Sequence, residues 1–177
     1  MRRYIVFIPL FLFFALGVLL WRGLQLDPSE LPSALIDKPM PSFSLSSLDK
    51  AENILTEADV KFGEPVLLNV WATWCPYCKR LQPKLSELQK KYQASGLELL
   101  AVSFNEDEGA KPQDEIYARG YDFITAVKGE AVAALYGVRG TPTTFFIKRS
   151  GEVLYRSSSS DISNPKLEQA VLEIVKH

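Results

Sequence analysis

The stretch Pro65-Val66-Leu67-Leu68-Asn69-Val70-Trp71-Ala72-Thr73-Trp74-Cys75-Pro76-Tyr77-Cys78 decides the fold of this chain. Its first half is an apolar run of strand length, and its second half carries the only two cysteines in the sequence. Pro76 suits the first position of a helix, where no amide donor is needed. Leu81, Leu85, Leu88 and Tyr92 then recur at intervals of four, three and four. They form one apolar helical stripe that leaves Lys79, Lys84, Lys90 and Lys91 to solvent. Gly96 is the expected stop, and Leu97 to Phe104 reads as a second buried strand. Strand, crossover helix and strand make a parallel pair with a right-handed crossover. Its functional loops belong at the carboxyl ends of the strands, where Trp74 to Cys78 lies. The predicted class is α/β, a central mixed sheet flanked by helices.

The pattern continues outward from this unit. Asn105 to Ala110 is a polar loop, Pro112 to Arg119 a helix, Phe123 to Val127 a strand and Glu130 to Tyr136 a helix. Thr143 to Lys148 and Glu152 to Arg156 make a hairpin turning at Ser150-Gly151, and Lys166 to Lys176 closes with a helix. Before the central strand, Phe43, Leu45 and Leu48 indicate a short edge strand, and Thr56 to Asp59 a single helical turn. Ser157 to Ser160 is a polar connector.

Two thiols separated by two residues, straight after a strand and at the mouth of a helix, are suited to reversible disulfide exchange. Cys75 precedes the helix, so its thiolate faces unpaired amide donors and the positive end of the helix dipole. It is the expected nucleophile. Cys78, one turn inside, is the more buried partner that resolves the mixed disulfide. The competing uses of such a pair fit poorly. A structural zinc site wants four Cys or His ligands, and the chain offers two cysteines and His177. Covalent haem attachment needs Cys-x-x-Cys-His, and Lys79 holds the fifth place. An inert disulfide closing so small a loop would stabilise little. No metal and no cofactor beyond the redox-active Cys75-Cys78 pair is expected. Trp74 shields or presents the disulfide, Trp71 is left to packing or presentation alike, and Asn69, if buried, needs a hydrogen-bond partner.

With 177 residues, 47% hydrophobic and 23% charged, there is room for one globular domain and a short extra segment. A net charge of −1 without a basic block gives no reason to expect a nucleic-acid partner. The extra segment is Tyr4 to Trp21, an uncharged apolar run just long enough to cross a bilayer. Pro9 is tolerable there. Arg2 and Arg3 before it, with Asp27 and Glu30 beyond Arg22, place the N-terminus in the cytoplasm and the remainder outside. Trp21-Arg22-Gly23-Leu24 offers no small-x-small cleavage site, so an uncleaved anchor is expected rather than a signal peptide. The expected division is residues 1–22 as cytoplasmic N-terminus and anchor, 23–41 as a tether stiffened by Pro28, Pro32, Pro39 and Pro41, and 42–177 as the domain.

The tether Leu26-Asp27-Pro28-Ser29-Glu30-Leu31-Pro32-Ser33-Ala34-Leu35-Ile36 with Lys38-Pro39, the run Leu67 to Pro76, and Tyr136-Gly137-Val138 leading to Gly140-Thr141-Pro142 together resemble the DsbE/CcmG family. These are membrane-anchored thioredoxin-like thiol-disulfide oxidoreductases of cytochrome c biogenesis. The resemblance implies a thioredoxin-like fold in which the Thr141-Pro142 loop, with a cis proline, faces the Cys-x-x-Cys and pairs with an extended substrate. Trp74, Pro76, Tyr77, Thr141 and Pro142 would then bind substrate around catalytic Cys75 and Cys78. It further implies a single-pass protein of the bacterial inner membrane with a periplasmic domain. That domain would keep apocytochrome c Cys-x-x-Cys-His thiols reduced and be recharged by a membrane electron donor of the DsbD or CcdA kind. A TlpA-like oxidoreductase for general envelope proteins and a non-catalytic module that holds apocytochrome are the alternatives. Two positions depart from the family, which commonly has acids where this chain has Leu81 and Thr143. Without those carboxylates nothing in the sequence opposes ionisation of the thiols.

Overall fold

The structure is a computed structural model that describes residues 7–25, 33–41, 44–47, 54–56 and 63–176. By internal contacts the chain separates into two compact units, Met1–Glu30 and Leu31–His177.

The described part of the first unit is helix α1, Phe7–Leu24, with a mean hydropathy of 2.0 and no buried residue. It is long and apolar enough to span a membrane.

The second unit is built on one seven-stranded sheet. Its strands are β1 (Ser44–Ser47), β2 (Ile54–Thr56), β3 (Val66–Trp71), β4 (Glu98–Ser103), β5 (Ile124–Val127), β6 (Thr143–Ile147) and β7 (Val153–Ser157), in the order β2-β1-β5-β4-β3-β6-β7. β3 runs parallel to β4 and antiparallel to β6, so the expected mixed sheet is present with β3 at its centre. All six residues of β3 are buried. That explains why its sequence is a continuous apolar run instead of an alternating one.

Alternation along the strands sorts the core into two clusters. Leu67, Trp71 and Phe146 face one side, against helices α2 (Pro76–Tyr92), α3 (Pro112–Ala118) and α5 (Pro165–Lys176), through Leu81, Leu85, Leu88, Ile116, Leu167, Val171 and Ile174. Leu68, Val70 and Phe145 face the other, where Val132 of α4 (Glu130–Leu135) and Tyr136 cover them. The helical stripe read from the sequence is therefore the buried face of α2 up to Leu88, with Tyr92 partly buried at its end. Gly96 ends this segment in the left-handed region at φ 81°, after a short 3₁₀ turn over Gln93–Ser95.

Two expectations before β3 are corrected. β1 is not an edge strand, because it pairs with β2 on one side and β5 on the other. Thr56, expected to open a helical turn, ends β2, which is the edge. Phe43, Leu48 and residues 57–59 lie outside the described residues. The short polar run Ser44 to Ser47 has too little alternation to announce two neighbours. Within the stretch expected as tether, residues 33–41 lie against the β7 hairpin. Asp37 N–H donates to Val153 O at 2.9 Å, Met40 N–H to Gly151 O at 2.8 Å, and Pro39 bridges to Glu152. Residues 26–32 are outside the described residues.

Candidate functional site

Register brings the site together. β6 is antiparallel to β3 with Val70 opposite Thr143, so the residues just before Thr143 must arrive beside those just after Trp71. β4 is parallel to β3 with Trp71 opposite Ser103, so Asn105 and Glu106 emerge at the same end. Three chain segments, 72–78, 105–106 and 140–142, thus converge at the carboxyl end of the central strand, as the strand-helix-strand pattern predicts.

Cys75 is the N-cap of α2. Its backbone is extended (φ −84°, ψ 107°), and its Sγ accepts a hydrogen bond from Cys78 N–H at 3.1 Å. The first turn of a helix leaves amide donors without intrahelical partners, and here one of them is spent on sulfur. Cys75 and Cys78 are joined as a disulfide with Cα atoms 5.3 Å apart. The Thr141-Pro142 peptide is cis, and Cys75 Sγ lies 3.7 Å from the Thr141 carbonyl oxygen. Trp74 and Tyr77 stand exposed on either side of Cys75, at 48% and 56%, and Pro76 is exposed as well. Pro142 is buried and Thr141 half-buried.

The expectation that Cys78 is the more buried thiol does not hold for this disulfide state. Both residues are 2% exposed, because the Thr141 carbonyl closes over the Cys75 side as the core closes over Cys78.

The loop that carries Cys75 is braced from β4. Thr73 N–H donates to the Glu106 carboxylate at 3.0 and 3.1 Å, and Thr73 Oγ1–H donates to it at 2.5 Å. Trp74 Nε1–H donates to Asn105 O at 2.7 Å. Asn105 takes a positive φ of 53°, which asparagine tolerates better than most residues, and its N–H donates to Glu130 Oε1. Thr73, Asn105 and Glu106 were not singled out from the sequence. Only the parallel register could have pointed to them, since it returns the end of β4 to the end of β3. With Leu81 and Thr143 in place of acids, the sequence offers nothing that opposes ionisation of the thiols; the structure adds one carboxylate to that reading, Glu106, held on Thr73 two residues before Cys75 by a loop remote in sequence.

The two positions that depart from the resemblance, Leu81 and Thr143, are both buried. Leu81 is 1% exposed in the core, and Thr143, fully buried, donates from Oγ1 to Gly140 O at 2.8 Å. Asn69 finds the partner its burial demands, donating from Nδ2 to Thr144 Oγ1 at 2.9 Å across β3 and β6. Trp71, fully buried, belongs to the packing.

Pro83 stands inside α2 and has no N–H to offer the carbonyl four residues back. That carbonyl, of Lys79, accepts instead from Arg119 Nη1 at 3.4 Å. Glu115 joins the same contact, 3.0 Å from Lys79 Nζ and 3.2 Å from Arg119 Nε. The hydrogen bond from Lys79 holds the Glu115 carboxyl below its usual range, with Arg119 adding to it. The first turns of α2 are thereby fastened to α3. Among the described residues there is no cluster of three His, Cys, Asp or Glu side chains that could hold a metal.

Residues 36–156 match the model of the AhpC/TSA family. The chain is 40% identical over 158 residues to a thiol:disulfide interchange protein DsbE of Pseudomonas aeruginosa, covering 88% of this chain and 84% of that protein. It is 34% identical over 174 residues to the DsbE of Escherichia coli K12, covering 94% and 90%. Among solved structures, a candidate DsbE of Chlorobium tepidum superposes with a TM-score of 0.65 at 29% identity. It covers 85% of this chain and 99% of that one.

Proposed function

Because the chain belongs to the DsbE family of thiol:disulfide interchange proteins and is a thioredoxin-like thiol-disulfide oxidoreductase, we propose that its substrate is the Cys-x-x-Cys-His disulfide of apocytochrome c. The single observation that carries the chemistry is Cys75 Sγ at the helix cap, accepting from Cys78 N–H and facing the Thr141 carbonyl. In the reduced protein the Cys75 thiolate attacks one sulfur of the substrate disulfide, and the other substrate sulfur leaves as a thiolate. Cys78 loses its proton and attacks Cys75 Sγ, releasing the second substrate thiolate. Two electrons have then passed to the substrate, and Cys75-Cys78 is a disulfide. A membrane electron donor of the DsbD or CcdA kind returns it to the dithiol. Trp74 and Tyr77 flank the approach, with Pro76, Thr141 and Pro142 completing the substrate surface.

Helix α1 supports a single-pass anchor in the bacterial inner membrane. Arg2 and Arg3 before it favour a cytoplasmic N-terminus and a periplasmic catalytic domain. An anchored reductase works at a high local concentration of membrane-bound partners, at the cost of reach.

Removing the resolving thiol tests this reading. A Cys78→Ala protein expressed in cells holds a covalent adduct through Cys75 that reductant releases, and mass spectrometry of the adduct returns peptides with Cys-x-x-Cys-His. Adducts with envelope proteins lacking that motif would instead support a TlpA-like general oxidoreductase, a reading favoured by Leu81 and Thr143 in place of the family acids. A holding module would require Cys75→Ser to keep full activity in cells.

A further inference from the structure

On the face of the sheet away from α2 lies a cavity of about 330 Å³, at the small end of the ligand-pocket range of about 300–1,000 Å³. Leu35, Leu135 and Tyr136 form apolar wall, and Ser33, Arg139 and Arg156 bring polar groups to it. Arg156 enters this face through strand alternation, opposite Phe145 in the β6–β7 pair. It is only 8% exposed, and its Nε has no hydrogen-bond partner. Its guanidinium stands 5.7 Å from the centre of the Phe145 ring, a cation–π contact that satisfies none of its N–H donors. Among the described residues neither Arg139 nor Arg156 forms an ion pair.

A buried cation without a counter-ion is costly, and a second cation beside it adds to the cost. Both effects act on Arg156: burial, and after it the charge of Arg139, hold its pKa below the usual arginine range. Ser33 Oγ accepts from Leu35 N–H, which leaves its hydroxyl proton free to donate. Guanidinium forks match oxyanions in geometry and charge. The apolar walls would gain nothing from a bare phosphate ion but would cover a hydrocarbon body.

We propose that this cavity, with the unpartnered Arg156 and Arg139 at its polar side, is a binding site for an organic carboxylate. The carboxylate bridges the two guanidinium groups and its apolar body lies against Leu35, Leu135 and Tyr136. The site shares no residue with the disulfide centre and stands or falls independently of it.

The test is a titration of the full chain in detergent micelles with phenylacetate, followed by NMR of the arginine Nε–H groups. Phenylacetate saturates a shift of the Arg156 Nε–H, and the neutral isostere 2-phenylethanol produces none. Arg139→Gln and Arg156→Gln each weaken phenylacetate roughly tenfold or more, the loss expected for a charge-assisted hydrogen bond. Arg139 is exposed and outside the core, so its variant keeps the test decisive if Arg156→Gln does not fold. A tripeptide ending in a free carboxylate that competes with phenylacetate places the source of the ligand on a protein chain. Failure to compete places it on a free acid, and either result supports the site. No saturable shift, equal binding of 2-phenylethanol, unchanged affinity in Arg139→Gln, or tighter binding of inorganic phosphate than of phenylacetate overturns it.

Discussion

Cys75 stands where two influences of opposite sign meet. The Cys78 amide and the start of α2 favour a negative sulfur, while the Glu106 carboxylate, held on Thr73, opposes it. Glutamine at position 106 can still accept from Thr73 N–H but carries no charge. Glu106→Gln therefore shifts the alkylation inflection of the reduced Cys75 to lower pH, by up to about one unit, equivalent to about 1.4 kcal/mol. Alkylation rate followed against pH in both proteins checks this. An unchanged inflection would show that Glu106 only braces the loop.

At the scale of elements, close approach and pairing between helices and sheet fix the frame. Gly129, just before α4, donates to Ser103 O at 2.9 Å. A Cβ at position 129 would sit 2.6 Å from that oxygen and 2.3 Å from Val102 Cγ1. Gly129→Ala forces the strand or the loop to move and should cost about 1–3 kcal/mol, read as a lowered denaturation midpoint. A midpoint equal to that of the parent chain would mean that the loop relaxes freely.

The contact of α5 with α2 adds a pH-dependent element. Glu168 pairs with Lys91 and accepts from Tyr92 Oη–H at 3.0 Å. The hydrogen bond from Lys91, then that from Tyr92, lowers the Glu168 carboxyl below its ordinary 4.5, and donating that hydrogen bond to Glu168 raises Lys91 above 10.5. A lowered carboxylate stabilises the fold above its unfolded value and loses that contribution as pH falls through the folded one. The raised lysine contributes below 10.5 and loses its share as pH climbs through the folded value. Both groups are at the surface, so the effect is small and screened by salt. Glu168→Gln is expected to unfold slightly more easily than the parent chain at neutral pH and equally in acid below the carboxylate's lowered value. A difference that persists in such acid would assign the effect to packing.

Across the whole molecule, most of the frame was legible because its signals are local. The run Val66 to Trp71, the stripe Leu81, Leu85, Leu88 and the turn at Ser150-Gly151 each follow from periodicity or turn chemistry. The cysteine pair named the chemistry, and Gly140-Thr141-Pro142 marked the facing loop. What escaped depends on distant register. β2 is three residues long, too short to show a period. Glu106 is one residue of the polar loop read at 105–110, and only the register of β4 with β3 brings it to Thr73. Arg156 enters the sequence reading only as the last residue of a hairpin strand, and its pairing with Phe145 is what places it on the apolar face. The near-equal burial of Cys75 and Cys78 depends on the Thr141 carbonyl, sixty-six residues away in the chain.

The claim on which the others rest is that, once reduced, Cys75 is held ionised at the start of α2 and acts before Cys78. Timed alkylation of the reduced full-length chain across pH, with the modified cysteine located by mass spectrometry, tests it most directly. The account predicts that Cys75 reacts first, with an inflection below the free-thiol value of about 8.5. Reaction first at Cys78, or an inflection of Cys75 at or above that value, would contradict it.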